Sequence, residues 1–196
     1  GSFHGHGEGK DDDKKEIFTF LKVIDKAVNK AIKNNKAPLV IASTNNVFYN
    51  YMQINTYSNL YTKNCKGDPE LKNKTNLHKA SLKLIKPYFE ETKKQQLTQF
   101  QELFHTSKVS YQLNEIIPAA ISGKIDTLFV EKNSDEFGLY NVENGNLILD
   151  TKKEIQNSSL TNLAAVQTFL NKGNVYELDS KEMPVKGRPL NAIFRY

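Results

Sequence analysis

The chain has 196 residues, 38% hydrophobic and 25% charged, a composition that excludes wholesale disorder and suffices for one large or two small cores. Its longest purely apolar run, Leu39 to Ala42, falls far short of the ~20 residues of a bilayer span, and no amino-terminal stretch resembles a signal peptide, so a soluble, cytoplasmic protein is expected. A lone cysteine, Cys65, excludes an intramolecular disulfide, and the net charge of +5 is unevenly placed, with 17 Lys against 11 acids in residues 1–105 and 10 Lys plus Arg against 11 acids in residues 106–196.

That asymmetry divides the molecule into a half suited to a polyanion and a half suited to packing or to protein. Residues 3–10, with His4, Gly5, His6, Gly7, Glu8, Gly9 and Lys10, have neither helical nor strand periodicity and read as a loop. Asp13, with Glu16 three residues on, forms a capping-box pattern and predicts a helix start. From there Ile17, Phe20, Leu21, Ile24, Ala27, Val28, Ala31 and Ile32 recur at spacings of three and four, predicting one buried stripe through residue 32. Lys22, Lys26, Lys30 and Lys33 fall on another face, which is either a solvated surface or a phosphate-facing one.

Pro38 to Ser43 predicts an interior strand covered on both faces, residues 45–52 a short helix, and Tyr57 to Thr62 an edge strand. The aromatics Phe48, Tyr49, Tyr51, Tyr57 and Tyr61 read as core or as stacking platforms for bases. Lys63 to Lys74 reads as a loop, exposing Cys65. Thr75 to His105 predicts a long helix kinked at Pro87, placed where the charge balance changes sign, and so a boundary between domains at 106/107. Beyond it, helix and strand patterns alternate. Gln112 to Ser122 predicts a helix closed by Gly123, and Ile125 to Val130 a strand. Two strand-like segments flank the Asn144-Gly145 turn signal as a hairpin, Leu160 to Leu170 predicts a helix, and Val175 to Leu178 and Asn191 to Arg195 two further strands. Elements of this length imply an α/β sandwich of about 90 residues.

Catalytic chemistry has little to stand on. His4 and His6 with Glu8 are the only arrangement suggestive of a metal-dependent hydrolase, but a His-Gly-His spacing on a loop lacks the rigidity and supporting hydrogen bonds that fix ligand geometry. The glycines before Lys10 do not complete a phosphate-binding loop, because His4 and Asp11 stand where glycine and a hydroxyl residue are needed. No cofactor or resident metal is implied, and Cys65 has no pattern tying it to His78 or His105.

Residues 3–15, 37–42, 115–130, 163–175 and the terminal Ala192 to Tyr196, taken in order, resemble the central and final domains of the archaeo-eukaryotic peptide-chain release factor and Pelota superfamily, in its bacterial branch. The resemblance implies a ribonuclease H-like central domain over residues 1–106 and, over residues 107–196, an α/β sandwich similar to kink-turn-binding ribosomal proteins. It also implies that a codon-reading first domain is missing from this chain. In release factors the loop before the basic helix holds a Gly-Gly-Gln tripeptide that positions water for peptidyl-tRNA hydrolysis. Here His4 to Gly9 occupies that position without glutamine, so the resemblance is closer to Pelota and does not imply peptide release. The implied function is a termination or ribosome-rescue factor that binds ribosomal or structured RNA through His4, Gly5, His6, Gly7, Gly9, Lys10, Lys22, Lys26, Lys30 and Lys33, with a protein partner at the second domain. The alternatives are a metal-dependent nuclease or phosphoesterase using His4 and His6, and a non-catalytic protein-interaction module. If any enzymatic activity exists, it is expected to be hydrolysis of peptidyl-tRNA or RNA.

Overall fold

The computed structural model describes residues 8–33, 37–67, 73–150 and 158–196, with side chains from residue 14 onward. His4, Gly5, His6 and Gly7, and the side chains of Glu8 and Lys10, lie outside the described part. The chain is mixed α/β and divides into two compact units, Gly1–Phe89 and Glu90–Tyr196. Among the described residues no helix is long and apolar enough to cross a membrane.

In the first unit, α1 (Glu8–Ala31) begins one turn before the capping box at Asp13. The helix therefore starts earlier than the capping-box pattern predicts, inside the segment that reads as a loop. Its buried stripe is narrower than the periodicity predicted. Leu21 is buried and Ile24, Val28 and Ile32 are half-buried, whereas Ile17, Ala27 and Ala31 are exposed and Phe20 is 65% exposed. The facing helix, α2 (Asn45–Ile54), runs only ten residues and buries Phe48 and Tyr51, too little to cover so broad a stripe.

The predicted strand at Pro38 to Ser43 is short. Only β1 (Ala42–Ser43) forms, pairing in parallel with β2 (Cys65–Lys66), and Leu39 bridges Leu60. It is half-buried rather than covered on both faces, and the edge strand at Tyr57 to Thr62 reduces to the bridge at Leu60. Because Cys65 donates its backbone N–H to Ile41 O at 2.8 Å and is 7% exposed, it sits inside the unit and not in an exposed loop. Phe48, Tyr51 and Tyr57 are core, as their packing reading required, and Tyr49 alone of the five aromatics is fully at the surface.

The long helix α3 (Lys74–Glu102) contains Pro87 and spans the division between the units. Its amino-terminal part buries Ile85 and receives the Tyr61 hydroxyl at Leu84 O. Its carboxy-terminal part, with Phe100 fully buried, packs with Phe129, Leu178, Met183 and Ile193. The division between the two compact units thus falls inside the helix.

The second unit is a four-stranded sheet in the order β3 (Val109–Ser110), β9 (Leu190–Phe194), β4 (Ile125–Glu131), β8 (Asn174–Leu178). β4 and β8 run parallel, and β9 is antiparallel to both its neighbours. Helices α4 (Leu113–Ile121) and α5 (Leu160–Leu170) cover one face through Ile116, Ile117, Ala120, Leu160 and Ala164, and α3 covers the other. A register shift between Ile125 and Thr127 sends Ile125, Leu128 and Val130 to the α4–α5 side and Phe129 to the α3 side. α4 ends as its sequence predicts, at Gly123, whose φ of +71 is the left-handed conformation that glycine adopts without cost. The hairpin is also present: β5 (Phe137–Tyr140) pairs antiparallel with β6 (Leu147–Asp150), Gly145 taking φ +72 in the turn. β7 (Ser158–Ser159) pairs with β5, and Ser159 then caps α5 by accepting from Asn162 N at 2.9 Å while its hydroxyl donates to Asp135.

Candidate nucleic-acid interface

Between Ile17 and Lys33 the sequence carries a single acid, Asp25, among Lys22, Lys26, Lys30 and Lys33. Spacings of four residues keep Lys22, Lys26 and Lys30 on one side of α1, Lys33 follows in the turn just past its end, and all four are exposed. At ~1.5 Å per residue they span about 16 Å, a length over which duplex nucleic acid presents on the order of ten phosphates. Lys14 and Lys15 continue the positive charge towards the amino end, where with Phe18, Thr19 and Lys22 they line a shallow surface depression. Exposure leaves the ammonium groups hydrated and mobile on long stems, suited to phosphate contact by charge rather than to a fixed geometry.

Asp25, the one acid, is buried at 4% exposure about a quarter-turn round the helix from the lysine row, where its carboxylate is occupied. Tyr51 donates its hydroxyl to Oδ1 at 2.9 Å, and Thr56 donates its hydroxyl to Oδ2 at 2.6 Å and its backbone N–H to Oδ1 at 3.3 Å. Asn29, one turn on, donates from Nδ2 to Asp25 O at 2.8 Å and to the Thr56 hydroxyl at 3.0 Å. Burial pushes the Asp25 carboxyl up, but the hydrogen bonds from Thr56 and Tyr51 and the contribution of Asn29 outweigh it and hold the group below the usual carboxylate range. Burial first, and then the hydrogen bond to this carboxylate, pushes the Tyr51 hydroxyl up to about 12. The network ties α1 to α2 and to the segment after it, and so determines which way the lysine side of α1 faces. Its sequence signal was available: an acid in the register of the apolar stripe, four residues after Leu21 and three before Val28, is a candidate for a buried, bonded carboxylate.

Other predicted candidates separate from this surface. His78 and His105 are exposed, the first on α3 and the second just beyond it. Among the described residues no group of three or more His, Cys, Asp or Glu side chains is placed to hold a metal ion. The candidates His4 and His6 are not among those residues, and Gly9 and Lys10 are described only as helical backbone.

Residues 1–87 match the family described as bacterial archaeo-eukaryotic release factor family 7. No curated protein matches the chain. Among solved structures it is similar to a ribosome-bound archaeal Pelota, in a complex with ABCE1, with 15% identity and a TM-score of 0.49 over 91% of this chain and 49% of that one. It is also similar to Dom34 of S. cerevisiae, described as a translation termination-like factor interacting with Hbs1, with 15% identity and a TM-score of 0.44 over 90% of this chain and 52% of that one. A third similarity is to the C-terminal domain of a peptide chain release factor from Methanosarcina mazei, with 13% identity and a TM-score of 0.37 over 64% of this chain and 96% of that domain. The chain thus spans about half the length of the Pelota and Dom34 chains. The match to that bacterial release factor family covers the first 87 of the 196 residues.

Proposed function

We propose that the protein is a ribosome-associated factor of the termination or rescue type, in which the lysine side of α1 contacts ribosomal RNA and the His4 to Gly9 segment, whose last two residues open the helix, is the tip at its amino end. The observation that carries this reading is the coincidence of the family match with the exposed row Lys22, Lys26, Lys30 and Lys33, whose single neighbouring acid is buried. Gly5, His6, Gly7, Gly9 and Lys10 complete the proposed contact with RNA, as glycines permit close backbone approach and histidine and lysine offer donors to phosphate. Peptide release by a Gly-Gly-Gln mechanism is not part of the proposal, because the tip holds no glutamine. Under this reading residues 1–106 act as the ribonuclease H-like central domain and residues 107–196 as the domain similar to kink-turn-binding proteins, which also offers the surface for a protein partner.

Co-sedimentation with purified ribosomes tests the proposal. With four phosphates neutralised, the slope of log affinity against log salt is about −3 to −4, so raising salt from 50 to 200 mM weakens binding on the order of a hundredfold. Replacing all four lysines by Gln flattens that slope by about three units. A wild-type chain absent from the ribosomal pellet at 50 mM salt, or a quadruple variant with an unaltered slope, refutes it.

A further inference from the structure

The second unit carries a basic surface that is unrelated to α1. The half of the sequence to which it belongs is slightly acidic, yet residues 103–114 and 183–196 hold no Asp or Glu. The two segments meet: β3 pairs with β9, and Lys108 O accepts the backbone N–H of Phe194 at 2.8 Å. Along this seam the side chains form a ladder. Phe100, fully buried, tilts against Phe104 at a centroid distance of 6.1 Å; Phe104 stacks on Tyr111 at 6.3 Å with 16° between the rings; and the Arg188 guanidinium lies over Tyr111 at 5.6 Å from its centroid. The ladder therefore runs from the core outward and ends on an exposed cation.

Arg188 is held by its backbone and not by its charge. Asn191, fully buried on β9, accepts the Val185 N–H at Oδ1 at 2.7 Å and donates from Nδ2 to Arg188 O at 3.2 Å. Gly187, at φ +70, lets the chain turn immediately before the arginine. The guanidinium itself has no ion pair or hydrogen bond among the described residues, so its fork of donors and its outer plane both face solvent. Lys186 and Lys108, both exposed, stand two and three residues from the two members of the cation–π pair.

A pre-positioned guanidinium plane backed by two aromatic rings and flanked by lysines matches the chemistry of single-stranded nucleic acid. A base stacks on the plane, and the adjoining phosphates take the cations. An acidic protein segment would use the charge but not the plane. We propose that Arg188, Tyr111, Lys108 and Lys186 form a binding site for single-stranded RNA. The choice of RNA over DNA rests on the proposed role in translation, whereas the stacking site does not.

Binding of a fluorescently labelled twelve-nucleotide oligoadenylate RNA to the full chain, followed by anisotropy, tests the site. Arg188→Ala weakens binding about tenfold, the size of one lost stacked base, and Arg188→Lys stays several-fold weaker than wild type because charge returns without the plane. An oligomer with abasic sugars is indifferent to Arg188→Lys, and Lys186→Gln lowers the salt slope by about 0.7. Arg188 is exposed and its side chain supports nothing in the core, so circular dichroism should report unaltered folding for each variant. The Gln-substituted α1 variant retains this oligonucleotide binding, which separates failure of the ribosome proposal from failure of this one. Affinities of Arg188→Ala within twofold of wild type overturn the site. So does full rescue by Arg188→Lys, which would reduce it to charge. Loss of binding to a Glu-rich peptide with RNA affinity intact would assign the surface to protein and overturn it as well.

Discussion

Asp25→Ala probes whether the buried carboxylate anchors α1. The substitution removes the acceptor of three hydrogen bonds, but the three donors do not suffer equally. Thr56 is exposed, so water replaces its partner, whereas Tyr51 is 3% exposed and its hydroxyl is left without an acceptor. A buried unsatisfied donor costs about 1–3 kcal/mol, and the small cavity left by the carboxylate adds to it, so a loss of roughly 2–4 kcal/mol is expected. Asp25→Asn preserves shape and one acceptor and should cost about half as much. A unit of this size shifts its midpoint by about 4–8 °C per kcal/mol, so the Ala variant should melt at least 8 °C lower. The chain contains no tryptophan, so circular dichroism at 222 nm is the natural readout, with urea titration for the free energy. Asp25→Ala combined with Tyr51→Phe removes both the acceptor and the stranded hydroxyl, and should recover about 1 kcal/mol relative to Asp25→Ala. A melting point within 2 °C of wild type for Asp25→Ala, or no recovery in the double variant, refutes the reasoning.

The same pair has a signature in pH. Asp25 is held below the usual carboxylate range, so its contribution is complete above the unfolded value near 3.8 and is lost as pH falls through the lower, folded one. Tyr51 behaves oppositely: its hydroxyl is pushed from 10.0 up to about 12, so its contribution is complete below pH 10 and declines between there and 12, a decline that urea midpoints should show and Tyr51→Phe should abolish. In the second unit Phe100→Ala should cost about 3–5 kcal/mol, because the ring is fully buried between the sheet and α3; a loss under 1 kcal/mol by urea titration would contradict that packing. Gly138→Ala should destabilise the hairpin side of the same unit, since an added Cβ would collide with the backbone oxygen of Ile148 and lie 2.9 Å from Leu160 Cδ1; unaltered melting would show that the strands can part without cost. Cys65 should react with a thiol reagent at least tenfold more slowly in the folded chain than in urea, and equal rates would place it at the surface after all.

The second unit was the more legible half. Gly123 and the Asn144-Gly145 turn mark places where backbone conformation is a local matter, and the predicted helix, strand and hairpin follow them closely. Helix α5 runs from Leu160 to Leu170 as its pattern predicts. In the first unit the helices were readable from periodicity, as was the lysine row, since spacings of three and four residues decide on which side of a helix a residue lies whatever it packs against. Which sides meet a neighbour is another question. The apolar residues Phe20 and Ile17 satisfy the helical pattern and are nonetheless exposed, because burial needs a facing surface and α2 is short. β1 and β2 are two residues each, held by a long-range pairing that no local propensity encodes, and the same pairing buries Cys65. The residues behind the proposed RNA-binding chemistry divide in the same way. Composition and spacing alone determined that this chain carries a basic helix and an acid-free carboxy terminus. Only the fold decided that Asp25 turns inward onto Tyr51 and Thr56, and that Arg188 comes to rest over Tyr111, because both depend on contacts between segments far apart in the chain.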